Sequence, residues 1–167
     1  AGFSMGGNIS LKYAGEQGQN ISKRIKAIAA ISVPVDLKDS SQVLAKWDNK
    51  VYMFRFLRTL KKKYYKKKQQ FPNLELNENA ILNASTFAVF DEYFTAPVNG
   101  FKGALDYWLQ ASSKPVLQNI STPSLLLNAQ NDPFLGPKCF PIQEAENNPK
   151  FHLHISKFGG HVGFFWS

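Results

Sequence analysis

The stretch Gly2-Phe3-Ser4-Met5-Gly6-Gly7 decides how this chain folds. It fits G-x-S-x-G, a pattern in which a strand turns sharply into a helix and lifts a serine clear of the sheet. The flanking glycines remove Cβ atoms that would collide as the turn closes. The helix that follows aims its N-terminus at the serine, which favours an oxyanion developing there. Working outward, Gly7 to about Gly15 predicts a short helix, with Gly15 and Gly18 as stop signals. Lys26 to Val35 predicts a buried strand, apolar on both faces as an internal strand of a parallel sheet is. Ser124 to Asn128 predicts a second strand, and the alternating Phe151-His-Leu-His-Ile155 a third, nearer an edge. Strands alternating with helices make this an α/β protein.

A serine on such a turn becomes a nucleophile only with an acid and a histidine, which follow it in that order at the ends of later strands. Asp132 follows the Leu-rich strand in Asn128-Ala-Gln-Asn-Asp-Pro133, and His161 follows the alternating strand in Phe158-Gly-Gly-His-Val-Gly163. Both fall on loops at carboxyl ends of parallel strands, where open α/β sheets hold their sites. Ser4 is therefore expected to attack, His161 to take and return its proton, and Asp132 to hold the imidazole tautomer. The Met5 backbone N–H is the expected oxyanion donor. The chemistry is acyl transfer to water through a covalent intermediate.

Composition narrows the alternatives. The 167 residues are 44% hydrophobic and 19% charged, as in a folded domain. One cysteine, Cys139, excludes an internal disulfide, a Cys-rich zinc site and a CxxC pair, and we read it as structural. No apolar run reaches the length of a membrane span. His152 and His154 share a strand face, but no acid or thiol near them has ligand spacing, so no metal or other cofactor is expected. The net charge of +8 is local: residues 46–70 hold ten cations and one acid, Asp48, and the rest of the chain ten cations and eleven acids.

Residues 36–98 are too long for a simple crossover and read as a helical insertion, with a helix over Val43–Lys68 and breaks at Phe71-Pro72 and Pro97. The crossover helix itself is expected at Gly100–Ala111. Lys61-Lys-Lys-Tyr-Tyr-Lys-Lys-Lys68 reads first as a solvated helix face on that insertion. A weak attraction to anionic membrane surfaces is the second reading and stacking on single-stranded nucleic acid the third. Phe90, Phe94, Phe101 and Trp108 are candidates for the lid and for substrate contacts, with Asp91, Thr95 and Asp106 stabilising the lid or shaping an acyl pocket. Asn8 is expected to cap or pack the first turn after the serine.

Beyond these readings, Gly2-Phe-Ser-Met-Gly-Gly-Asn8, Phe90-Asp-Glu-Tyr-Phe-Thr-Ala-Pro97, Gly100-Phe101, Asp106-Tyr107-Trp108, Asn131-Asp-Pro-Phe134 and Gly159-Gly-His-Val-Gly-Phe164 resemble the YheT-like branch of α/β-hydrolases. The resemblance covers essentially the whole chain. It implies an α/β-hydrolase fold: an eight-stranded, mostly parallel sheet with helices on both faces and a helical lid insertion. This chain would hold the last three strands, as the C-terminal part of a single domain, and would need the missing strands to be active. The resemblance implies the same triad, Ser4, Asp132 and His161, and an esterase acting on medium- or long-chain acyl esters or lipids. A thioesterase or acyltransferase using that triad, and a non-catalytic binding protein on the same fold, are the alternatives. The expected location is cytoplasmic, any targeting segment lying upstream of Ala1.

Overall fold

The computed structural model describes residues 1–164. Four parallel strands, β1 (Gly2–Phe3), β2 (Ile28–Ile31), β3 (Ser124–Ala129) and β4 (Phe151–Ser156), lie side by side in that order. The expected three strands thus become four, because the two residues ahead of Ser4 pair with Ala30 and Ile31. Register is set by apolar side chains: Leu126 stands between Ala30 and Leu153, and Ser124 between Ile28 and Phe151. β4 lies at the edge of this sheet, as its alternation predicts, with His152 and His154 exposed on it.

The chain divides into two compact units. The first comprises Ala1–Ser40 and the chain from Ala111 onward. Its core is Leu11 and Ala14 of helix α1 (Met5–Gln17), Ile28, Ala30, Val33, Leu117, Leu126 and Phe151. At Gly15 a Cβ would stand 2.3 Å from the Val116 carbonyl oxygen, so only glycine lets α1 approach so closely. β2 ends earlier than predicted. Ser32 donates its N–H to Leu127 O at 2.8 Å, the last bond of the ladder, and its left-handed φ of 55° then turns the chain out of the strand.

The second unit is Ser41–Gln110. Its central element is the 21-residue helix α3 (Lys50–Gln70), preceded by α2 (Leu37–Leu44) and a 3₁₀ turn at Trp47–Asn49. The single helix predicted from Val43 is thereby split in two, the break made by buried Asn49, whose Nδ2 donates to Val43 O at 3.1 Å. α4 (Glu78–Asn83), α5 (Phe87–Phe90), a π-helical turn at Asp91–Thr95, α6 (Ala96–Val98) and α7 (Ala104–Ala111) complete the segment, and α8 (Ile142–Glu146) precedes β4. α7 starts four residues later than predicted because Gly100 takes a φ of 77° and Glu92 caps the helix, accepting from Ala104 N at 2.7 Å. No helix among the described residues is long and apolar enough to cross a membrane.

Candidate active site

The two residues of β1 deliver the chain to Ser4, which is held at φ 49° and ψ −124°. Non-glycine residues rarely occupy that region, and they persist there only where neighbours over-determine them. Those neighbours are visible. Ser4 N donates to Ile31 O at 2.9 Å, while Ser4 O accepts from Gly7 N at 3.0 Å and Asn8 N at 3.1 Å. Ser4 is thus the N-cap of α1, but its hydroxyl makes no capping bond and is left half-exposed at the helix start. The Met5 N–H, in the first turn, has no acceptor within the helix.

The glycines of the motif are not equivalent. A Cβ on Gly2 would stand 2.5 Å from Gly6 O, and one on Gly7 2.3 Å from Val33 Cγ2. One on Gly6 would meet nothing within 4 Å, so the expected steric role belongs to Gly2 and Gly7 instead. Asn8, fully buried, donates from Nδ2 to Ala111 O at 2.9 Å and accepts at Oδ1 from Ser113 N at 2.9 Å. It packs the first turn, as expected, by tying α1 to Ala111 at the end of α7 and to Ser113 just beyond it.

Asp132 lies on the loop leaving β3, its side chain inaccessible to solvent. Its Oδ1 accepts from Phe134 N at 2.9 Å and its Oδ2 meets His161 Nδ1 at 2.8 Å. A carboxylate accepts, so this contact fits an imidazole that donates from Nδ1 and presents Nε2 away from Asp132. The imidazole rests on the Phe134 ring, centroids 4.6 Å apart, and is 20% exposed. Two glycines with positive φ, Gly159 and Gly160, bring it there, and Gly160 N donates to Asn131 Oδ1 at 2.9 Å. A Cβ on Gly159 would stand 2.5 Å from the Phe164 ring.

Asp132 and His161 are thus directly joined, and Ser4, Asp132 and His161 all leave carboxyl ends of parallel strands. Ser4 Oγ has no hydrogen-bond partner among the described residues. Asn128 is a residue the motif reading missed. Fully buried on β3, it accepts from Val33 N at 2.8 Å and donates to Val33 O at 3.2 Å and Cys139 O at 2.9 Å. This locks the strand that carries the Asp132 loop. An asparagine after three leucines was the available signal. No group of three or more His, Cys, Asp or Glu side chains able to hold a metal occurs among the described residues.

The aromatic candidates lie in the second unit. Phe90 is fully buried against Phe94, which meets Tyr64 edge-on at 5.5 Å, and Phe101 packs on Tyr107 at 5.3 Å. Trp108 is buried and donates from Nε1 to Asp91 at 2.9 Å; Thr95 donates to the same carboxylate at 2.6 Å. Burial pushes the Asp91 carboxyl above the usual range, against those two bonds. Asp106 is half-buried and its carboxyl is held low, chiefly by the bond from Lys102 N.

A sequence model of the alpha/beta hydrolase fold matches residues 1–167. Among curated proteins, "Putative esterase YheT" of Escherichia coli (strain K12) is 30% identical over 164 residues, covering 98% of this chain and 47% of that protein. "Phospholipase ABHD3" of Mus musculus is 31% identical over 164 residues, 98% of this chain and 39% of that protein. "Monoacylglycerol lipase" of Saccharomyces cerevisiae (strain ATCC 204508 / S288c) is 31% identical over 172 residues, with shares of 98% and 37%. The chain spans less than half the length of each.

Proposed function

The chain belongs to the alpha/beta hydrolase fold family, and from that premise we propose that it carries the catalytic triad of a serine hydrolase acting on carboxylic esters of medium- or long-chain acyl groups. The observation that supports this most is the Ser4 backbone. A non-glycine residue is held at φ 49° at the start of a helix, and its hydroxyl is left unbonded. The esterase, phospholipase and lipase named among the relatives support the substrate class.

In this reading Ser4 Oγ attacks the ester carbonyl carbon while His161 Nε2 takes its proton. The tetrahedral oxyanion faces the Met5 N–H, where an unpaired donor and the helix dipole lower its energy. Collapse breaks the ester C–O bond, and His161 returns the proton to the departing alkoxide. Water, deprotonated by the same imidazole, then attacks the Ser4 acyl carbon and frees the acid. Asp132 stays ionised and stabilises the imidazolium in both halves. Phe90, Phe94, Phe101 and Trp108 belong to a lid that favours an apolar acyl chain, and the lysines of Lys61–Lys68 attract the protein weakly to anionic membrane surfaces.

The test is fluorophosphonate labelling of the intact protein followed by a panel of esters and thioesters of graded chain length. Labelling lost in Ser4→Ala, with ester turnover exceeding thioester turnover, is the expected result. Labelling that survives Ser4→Ala would sink the nucleophile assignment.

A further inference from the structure

The second unit contains a groove of about 650 Å³, and every residue lining it lies between positions 44 and 86. One wall is a stripe of α3 running from Lys50 to Tyr65 in alternating steps of three and one, which is a single helical face. At 1.5 Å per residue that stripe is about 22 Å long. The other walls come from residues 44–46 and 84–86.

The floor of the groove is apolar: Leu44, Met53, Leu57 and Ala84 are all buried, and Phe54 and Tyr65 stand exposed along it. Its remaining charged lining is all of one sign. Lys46, Lys50, Arg58, Lys61 and Lys62 line it, and no Asp or Glu does. Lys61 Nζ donates to Ala84 O at 2.8 Å. No ion pair among the described residues neutralises Lys46, Lys50, Arg58 or Lys62. A greasy trough with a cationic rim and no counter-charge is complementary to one chemistry, a single alkyl chain ending in an anion. A bilayer presents a broad surface instead, and a trough walled on several sides by one domain suits one chain.

We propose that this groove binds a free fatty acid, its carboxylate between Arg58 and Lys62, one helical turn apart on α3, and its chain running back along Leu57 and Met53. Such an acid is what the proposed ester cleavage releases. The inference stands on the groove alone and does not require the triad: Ser4→Ala should bind the acid as the wild type does, so failure of one reading leaves the other intact.

The experiment is calorimetric titration of the intact protein with laurate, dodecanol and dodecyltrimethylammonium, each below its micelle concentration. Laurate should bind at least tenfold more tightly than the neutral and cationic chains, and its affinity should fall as salt rises. Arg58→Glu/Lys62→Glu should weaken laurate at least tenfold, whereas Lys63→Glu/Lys66→Glu, the same charge change off the stripe, should alter it less than twofold. Equal affinity for the three headgroups overturns the proposal, as does equal loss in the two double variants. Binding to anionic vesicles with none to monomeric laurate also overturns it, in favour of a membrane-facing surface. Should the groove variant lose its far-UV dichroism, the salt arm on the wild type decides: laurate affinity unchanged between low and high salt overturns the proposal.

Discussion

The two units hold their buried polar groups in opposite ways. In the first, these groups reach far along the sequence. Asn8 bonds residues more than 100 positions away, Asn128 bonds Val33 at a separation of 95, and Asp132 bonds His161 at 29. In the second they span less: Asn49 reaches Val43, 6 positions away, and Asp91 accepts from Thr95 and Trp108, 4 and 17 positions away. Both units leave large apolar groups in water, Trp47 and Phe54 in the second (79% and 67% exposed) as Phe158 and Ile9 in the first. Non-local bonds cost more chain entropy to close but fix loops from distant strands against one another. That is the order a reaction centre needs. Local bonds stabilise helices while leaving their outer faces free to meet ligands.

The comparison can be attacked from its strongest side first. Ser4→Ala should lower ester turnover by about 10⁴-fold or more, as loss of a triad serine does, with thermal stability little changed. Comparable residual turnover would move the reaction centre elsewhere. Asn128→Ala leaves the Val33 N–H and the Cys139 carbonyl unpaired in the core, while Val33 O keeps its bond from Val35 N, and should cost about 2 kcal/mol or more in urea melts. A loss below about 1 kcal/mol would show that the long-range bonds of the first unit are dispensable.

Within the elbow the glycines should separate. Gly7→Ala, driven into Val33, should destabilise by about 1–3 kcal/mol. Gly6→Ala, with open space around it, should stabilise α1 by about 0.5–1 kcal/mol; matching effects in the two would contradict the packing described. Smallest is a pH effect in the second unit. The folded-state pKa of Asp91 is raised by burial, so its protonated form favours folding. Its contribution is present below the unfolded value of about 4 and is lost as pH rises through the folded value. Melting temperatures from acid to neutral pH should fall less steeply in Asp91→Asn than in the wild type. Parallel curves would show that Asp91 is not the titrating group.

What could be read beforehand divides along the same line. The elbow, the α/β class, three strands and the Asp132–His161 pair follow from short motifs and from periodicity, both local signals. The strand predicted through Val35 stops at Ile31 because Ser32 leaves it in a left-handed conformation, and nothing in a serine announces that. The break in the helix predicted from Val43 is invisible in the sequence because no glycine or proline marks Trp47–Asn49. The separate duties of Gly6 and Gly7 depend on where Val33 comes to lie, 26 positions away. Asn128 escaped notice for the same reason: its partners at Val33 and Cys139 are assembled only by the fold.

Cys139 gives that assembly a chemical clock. It is the sole thiol in the sequence, fully buried in the first unit, with Ser40 Oγ 3.3 Å away, and burial pushes its pKa up. Alkylating reagents need an exposed thiolate, so modification waits on an opening of the surrounding structure. The rate at which iodoacetamide adds one carbamidomethyl mass to the native protein therefore reports how often this part of the interior breathes.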